Sequence, residues 1–281
     1  MSKTVDCYFP GTSFPSVSVT GGTCALDCKH CSGVHIERML HARDPDALLK
    51  LADRLNDTDA IGFLLTGGSN ANGKVPLSEF AGAIKTIKES TELRINAHVG
   101  LMPKPELEEL VSAGVDAFST DVYGSDSAIR TTLGLNASCQ DFLSVIADLS
   151  DIGAPVIAPH ICVGIEGGEI VGENTAIEAL APYAPDAVVI IAFVPTKGTA
   201  YEHMNPPSNK DVLDIIDAAR RTLPRSRLLL GCMRQRVERE WEEAAVKAGL
   251  DGIAVPSRRT MHALSMSGWR LIEKRMCCAI E

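Results

Sequence analysis

The sequence lacks the features that mark several large classes of protein. None of its apolar runs is long enough to cross a membrane, and the first residues, MSKTVDCYFP, contain no apolar core of a signal peptide. Positive charge is not in excess: 27 Lys and Arg face 36 Asp and Glu, and the net charge of −9 disfavours nucleic-acid binding. No long linker, low-complexity segment or charge run divides the chain. We therefore expect a single domain over 1–281, located in the cytoplasm, with neither a nucleic acid nor a membrane as partner.

Cysteine, in contrast, is plentiful, with nine residues in the chain. In a cytoplasmic protein such residues indicate metal binding or reactive thiols rather than disulfides. Cys24, Cys28 and Cys31 form a C-x3-C-x2-C run in TGGTCALDCKHCSG. Three thiolates this close suit a [4Fe–4S] cluster, and without a fourth cysteine nearby one iron is left open to bind a cofactor or substrate. The alternatives are a zinc site completed by His30 or His35, or unrelated buried thiols.

Short β-branched apolar runs alternate with amphipathic helical stretches. The eight predicted strands are residues 16–21, 61–68, 93–100, 116–124, 155–164, 186–195, 227–232 and 252–257. A predicted helix follows each strand, and the last two helices cover 235–249 and 260–274. This alternation implies parallel strands, and even spacing favours an α/β fold of the closed (β/α)8 TIM-barrel type over an open doubly wound sheet. Active-site groups then sit at the C-terminal ends of strands, where the triple cysteine run falls. The extensions 1–15 and 258–281 are expected to cap the barrel mouth.

Over nearly its whole length the chain resembles the radical S-adenosylmethionine (SAM) enzymes. The resemblance rests on the three cysteines, with His30 where the family usually has an aromatic ring, and on TGGS (66–69) at the end of the second strand. The family has a GGE-like stretch there, so Ser69 stands where Glu is commonest. Within the superfamily the chain is most similar to the biotin synthase-like group and, more narrowly, to the archaeal-type lipoyl synthase, which works as a pair of related proteins. The stretches that suggest this include NAHVGL, APHICVGIEGGEIVGE, GCMR and the terminal CCAI, although GCMRQ departs from the expected GCMRP.

The resemblance implies a radical SAM barrel in which the open iron binds SAM and one electron releases a 5′-deoxyadenosyl radical. The residues expected to contact SAM are His30, Thr66, Gly67, Gly68 and Ser69 near its methionine end, Asp121 at the ribose, and Val163, Gly164 and Ile165 beside the adenine. Several of them have an ordinary structural alternative. The glycines suit a tight turn, Asp121 suits a helix N-cap, and 163–165 suit barrel packing.

Polar residues at other strand ends are candidates for catalysis. His98 and His160 end the third and fifth predicted strands, where they suit substrate or proton handling, or are core histidines. Arg234, in GCMR, is placed to reach a cluster or a carboxylate.

Sulfur insertion, as in biotin and lipoyl synthases, needs a second iron–sulfur cluster that is consumed as sulfur donor. We expect Cys232, Cys277 and Cys278, with Cys7 as a possible fourth, to hold a second [4Fe–4S] cluster if the tail folds over the barrel mouth. The alternative is that these residues are inert, since free cysteine is often buried.

The leading hypothesis is therefore sulfur insertion into an octanoyl group on a lysine of a carrier protein or peptide, which makes one or both C–S bonds of lipoyl. The resemblance also implies a homologous partner subunit and an electron donor such as ferredoxin. One alternative is another biotin synthase-like radical SAM enzyme that performs methylation, rearrangement or ring formation. The other is a non-catalytic iron–sulfur or zinc protein on a barrel scaffold.

Overall fold

A computed structural model describes residues 3–236 and 240–280. The strands are β1 (Thr4–Tyr8), β2 (Ser16–Ser18), β3 (Leu40–His41), β4 (Gly62–Thr66), β5 (Arg94–His98), β6 (Ala117–Asp121), β7 (Ile157–Val163), β8 (Ala187–Ala192), β9 (Arg227–Leu230), β10 (Gly252–Ala254) and β11 (Arg270–Lys274). The helices are α1 (Pro45–Asn56), α2 (Ala81–Ser90), α3 (Lys104–Ser112), α4 (Asp126–Ala128), α5 (Cys139–Asp151), α6 (Glu173–Leu180), α7 (Asn209–Thr222), α8 (Trp241–Lys247) and α9 (Arg258–Met266). A π-helical turn, Ile129–Leu133, extends α4.

The strands form one parallel sheet in the order β11-β1-β10-β9-β8-β7-β6-β5-β4-β2-β3. Because successive strands are neighbours and are joined through helices, the sheet curls into a TIM-type barrel wall with the helices outside. The edge strands β3 and β11 do not pair with each other within the described ranges, so the wall is open on that side. The expected fold is thus confirmed, with an open wall in place of a closed ring.

Each of the eight predicted strands is present, as β2 and β4 to β10, while β1, β3 and β11 were not predicted. The second half of the predicted helix 260–274 is wrong: α9 ends at Met266, Gly268 has a φ of +80°, and 270–274 pair with β1. A glycine in the left-handed region just beyond a helix ends it. The helix predicted over 235–249 is α8 in part, and its residues 237–239 lie outside the described residues.

Apolar residues on the outer face of the sheet pack against the helices and form the main core. Helix α1 shows how this works: Asp44 caps it by accepting a hydrogen bond from Ala47 N, and Leu48, Leu51 and Ala52 form its buried stripe. No helix in the described part of the chain is long and apolar enough to span a membrane.

The C-terminal tail, residues 276–280, packs inside the barrel. Cys278 and Ala279 contact inward-facing residues such as Ala187, while Ile280 is fully buried against Ala117. Since Ala117 and Ala187 begin their strands, the tail fills the end opposite the mouth. The extensions 1–15 and 258–281, which we expected to cap the mouth, therefore contribute β1, α9, β11 and this internal packing.

Candidate active site

The cysteine run lies in the loop after β2, at the mouth of the barrel. Cys28 is buried, while Cys24 and Cys31 are partly exposed. Ligand atoms of Cys28, His30 and Cys31 all lie within 4.8 Å of one another. Cys24 Sγ lies outside that group, 3.7 Å from the carbonyl oxygen of Ser69, and Cys28 Sγ lies 3.6 Å from that of Leu133. The loop is thus held from both sides, by the segment after β4 and by the π-helical turn.

The electrostatics of these thiols fit a cationic metal group. A hydrogen bond from Cys28, aided by His30, lowers the pKa of Cys31 to about 4 even though burial acts in the opposite direction. The same hydrogen bond, together with burial, raises the pKa of Cys28. Thiolates this close repel one another unless a cation lies between them, and sulfur donors are what an iron–sulfur cluster binds.

The glycines after β4 allow close contact with the cysteine loop. A Cβ atom on Gly68 would lie 2.0 Å from the Thr23 carbonyl oxygen and 2.6 Å from Cys24 Cα, so only glycine fits there. Gly68 N donates to Thr20 Oγ1 at 2.7 Å. At the end of β4, Thr66 Oγ1 donates to the His98 carbonyl oxygen at 3.2 Å. The backbone of the TGGS segment therefore lies directly beside the cysteines, which suits a segment that binds one end of a cofactor.

A cavity that encloses about 570 Å³ of space, part of it open to solvent, lies next to the cysteine loop. Three of the predicted cofactor-binding residues, His30, Asp121 and Ile165, line it, and Tyr123 and Phe193 supply apolar wall. The buried Nδ1 atom of His30 has no hydrogen-bond partner among the described residues, so a polar ligand would satisfy it. The thiols, the glycine backbone and this orphaned nitrogen together fit a cluster with a polar cofactor bound to it.

Two histidines and a carboxylate share the wall of the mouth. His98 Nε2 lies 3.4 Å from Asp121 Oδ2, and the ring of His160 stacks on that of His98 with centroids 5.4 Å apart. His160 Nδ1 also lies 3.0 Å from the Ala158 carbonyl oxygen. Asp121 is not an N-cap: the following helix, α4, is capped by Ser125. The structure thus places the three predicted polar residues together on the active face.

The segment 163–165 owes its shape to a residue that sequence reasoning missed. Glu173, buried at the start of α6, accepts hydrogen bonds from the backbone N–H groups of Gly164 (2.7 Å), Val171 (2.9 Å) and Gly172 (3.0 Å). It thereby fixes the loop that presents Ile165 to the cavity. An acidic residue in the first helical turn after a glycine-rich loop was the available signal.

Arg234 does not reach the cavity. Its guanidinium is fully buried and donates to Glu242 Oε1 from Nε (3.0 Å) and Nη2 (2.8 Å), and to the Gly231 carbonyl oxygen from Nη1 (2.6 Å). The predicted catalytic role is therefore wrong, because these donors are committed to a structural ion pair.

Of the four cysteines expected to hold a second cluster, Cys277 and Cys278 lie inside the barrel. Asn96 Nδ2 donates to Cys277 Sγ at 3.6 Å, and a hydrogen bond from Cys278 lowers the pKa of Cys277 to about 7. Cys232 is exposed just after β9, and its charge contributes to the raised pKa of Cys278. Cys7 is not brought to them, since it faces the helices in the main core, where burial raises its pKa to about 11. Within the described ranges these four thiols do not form a compact ligand group.

Comparison with known proteins agrees with this site. Residues 18–170 match the family model "Radical SAM superfamily", so the chain belongs to that superfamily. A biotin synthase from Halorhodospira halophila is 26% identical to the chain over 257 residues. The matched region covers 86% of this chain and 75% of the relative. The chain is thus similar to biotin synthases, and membership of the radical SAM superfamily implies a SAM-binding [4Fe–4S] cluster and SAM itself, as predicted.

Solved structures support the fold alone. Methylornithine synthase (PylB) is similar with a TM-score of 0.66 at 16% identity, covering 96% of this chain and 84% of its own. HydG, a maturase of the [FeFe]-hydrogenase, is similar with a TM-score of 0.66 at 14% identity. The match covers 91% of this chain and 58% of HydG.

Proposed function

We propose that this protein is a lipoyl synthase-type sulfurtransferase, which inserts sulfur into an octanoyl group carried on a lysine of a protein or peptide in the cytoplasm. The observation that carries the proposal is the position of Cys277 and Cys278. The two adjacent thiols lie inside the barrel, below the cysteine loop and beside polar side chains such as Asn96. This position suits a source of sulfur within reach of an acyl chain. A homologous partner subunit and a ferredoxin-like electron donor complete the proposal.

When bound, the first cluster and SAM supply a radical able to remove hydrogen from an unactivated carbon. The chain's own residues hold and shield that chemistry. Cys24, Cys28 and Cys31 hold the cluster, and Gly68 lets the backbone approach it closely. Tyr123, with 8% of its surface exposed, lines the cavity together with other apolar residues that exclude water and accommodate an acyl chain.

Cys277, Cys278 and Cys232 are the residues we assign to the auxiliary [4Fe–4S] cluster. The lowered pKa of Cys277, about 7, gives a substantial thiolate population at neutral pH, as a cluster ligand requires. Burial lowers the pKa of His98, but the charge and hydrogen bond of Asp121, with a smaller contribution from Cys277, raise it above its ordinary value. We assign His98, with His160 behind it, to substrate or proton handling near the acyl chain.

The test is anaerobic purification, reconstitution with iron and sulfide, and reaction with SAM, dithionite and an N6-octanoyl-lysyl peptide. We expect 5′-deoxyadenosine together with a peptide that has gained sulfur. A Cys277→Ala/Cys278→Ala variant should lose part of its iron and all thiolation but still cleave SAM. The matched control is Cys7→Ala, which removes a thiol that faces the helices and should retain both iron and thiolation. Undiminished iron in the double variant would contradict the auxiliary cluster.

A second candidate is another biotin synthase-like radical SAM reaction, such as methylation, rearrangement or ring formation. One observation favours it: among the described residues, only Cys28, His30 and Cys31 form a compact group of metal ligands. Such an enzyme needs only the first cluster. SAM cleavage without any thiolated peptide would support this candidate over sulfur insertion.

A further inference from the structure

A second and larger depression lies at the open side of the barrel wall. This groove encloses about 1460 Å³ of space open to solvent, between the chain before β2, the loop before β4 and the edge strand β3. Leu40, with 42% of its surface exposed, lies on its rim, and Arg38 and Arg275 line it. Because β3 and β11 do not pair within the described ranges, strands do not close this side of the wall.

Among the described residues, two arginines and one aspartate line the groove, which leaves an excess of one positive charge there on an acidic chain. Arg275 donates to Ser13 Oγ at 2.7 Å and lies 3.7 Å from Asp59, the one carboxylate that lines the groove among the described residues. Arg38 is exposed and has no ion-pair partner within 3–236 and 240–280. The chain as a whole carries a net charge of −9, so two arginines against one aspartate form a local exception. Such a patch favours an acidic partner through charge complementarity.

The groove and the active-site cavity have one lining residue in common. His35 lines both the groove and the 570 Å³ cavity that contains His30 and Asp121. Arg38 lines the groove together with His35, so a molecule held against Arg38 lies close to the imidazole that also lines the cavity.

We propose that the groove docks an acidic protein segment that carries the acylated lysine, and that the lysine arm enters the cavity past His35. The inference rests on the proposed acyl-lysine substrate and adds how the carrier is recognised. Arg38 and Arg275 bind carboxylates of the carrier, and the apolar rim at Leu40 contacts its backbone or apolar side chains. The long, thin acyl-lysine arm then reaches the radical site while the carrier stays outside.

The experiment uses two peptides of equal length with a central N6-octanoyl-lysine, one flanked by Asp and Glu and one by Gly and Ser. Dissociation constants for the reconstituted protein with SAM are measured by fluorescence anisotropy, and thiolation is followed in parallel. We expect the acidic peptide to bind about tenfold more tightly at low salt, with a preference that shrinks as salt screens the charges. Arg38→Glu should reduce this preference about three- to tenfold, and Arg38→Lys should largely restore it.

The matched control is Arg225→Glu, which reverses an exposed arginine on the turn before β9, away from the groove. It should retain the preference, because the effect is local. An equal loss in both charge reversals, or no loss with Arg38→Glu, would overturn the docking site. Loss of binding to an acidic ferredoxin in Arg38→Glu, with the peptide preference unchanged, would assign the groove to the reductant instead. If the peptides are thiolated but the acidic one is not preferred, the docking site is overturned and sulfur insertion stands. If the acidic peptide is preferred through Arg38 but no peptide is thiolated, sulfur insertion is overturned and the docking site stands.

Discussion

His98 Nε2 lies 3.4 Å from Asp121 Oδ2, across the neighbouring strands β5 and β6 at the barrel mouth. Burial lowers the pKa of His98, but the charge and hydrogen bond of Asp121 outweigh it, so this pKa lies above its ordinary value. Burial likewise raises the pKa of Asp121, but His98 outweighs it, and the net shift is downward. Burial and the charge of His98 lower the pKa of the stacked His160 to about 4. As pH falls, His98 therefore takes up a proton before His160 does.

The first prediction concerns the pH dependence of stability. The His98 contribution to the free energy of unfolding is lost as pH rises through its raised folded-state pKa, and the Asp121 contribution is lost as pH falls through its lowered one. His160 adds an acid limb, because its stabilisation is lost as pH falls from 6.5 towards about 4. Urea unfolding across this range should show both limbs in the wild type. Asp121→Asn should flatten the alkaline limb, and an identical pH profile in that variant would contradict the charged pair.

The second prediction concerns the buried ion pair of Arg234 and Glu242, whose side chains are both 0% exposed. Arg234→Met should lower the free energy of unfolding by about 3–5 kcal/mol, because it leaves an uncompensated buried carboxylate. Arg221→Met, which removes an exposed pair with Asp217 on α7, should change it little. Denaturant unfolding measures both. Similar losses in the two variants would show that the Glu242 site is not desolvated.

Arg234 also shows where sequence reasoning ends. A short motif next to a predicted strand identifies a chemically capable residue, but it does not reveal that Glu242, in a later helix, already binds the guanidinium. The tail presents the same difficulty, because no periodic pattern indicates whether CCAI caps a barrel or fills it. The helix predicted over 260–274 was wrong in its second half because β11 forms by pairing with β1, near the other end of the chain, and this pairing cannot be seen in the local sequence.

The site at the mouth was easier to predict, for a physical reason. Parallel strands put their C-terminal ends on one face, so Thr66, His98 and Asp121, which end β4, β5 and β6, could be grouped from strand boundaries. His160 was expected at the end of its strand but lies in the middle of β7, and it joins the group by stacking on His98. The spacing of the three cysteines is a local feature of the sequence, so the cluster site could be predicted without knowing the strand order. Glu173 was missed because its partners are backbone N–H groups, and an acidic residue in a first helical turn does not by itself show that it binds them.

The third prediction concerns removal of the metal. Cys28→Ser or Cys31→Ser should abolish both iron binding at the first cluster and SAM cleavage, measured by iron analysis and by release of 5′-deoxyadenosine. Chelation of the iron should leave the far-UV circular dichroism nearly unchanged, since the loop has its own hydrogen bonds, from Ala25 N to the Ser69 oxygen and from Lys29 N to the Thr132 oxygen. Global unfolding on chelation would instead show that the cluster drives folding.

The fourth prediction concerns Glu173, a positioning residue for the loop beside the cavity. Glu173→Gln replaces one acceptor oxygen by an NH2 group, which opposes the backbone N–H donors of Val171 and Gly172 or that of Gly164. The loop should loosen, and SAM should bind roughly tenfold more weakly, since one charge-assisted set of hydrogen bonds is worth about 1.5–3 kcal/mol. Calorimetric titration with SAM measures the affinity, and hydrogen exchange over 164–172 measures the loosening. Glu178→Gln, exposed on the same helix, is the control that should change neither. A lower melting temperature with unchanged SAM affinity and unchanged exchange in the loop would show that Glu173 serves only the stability of α6.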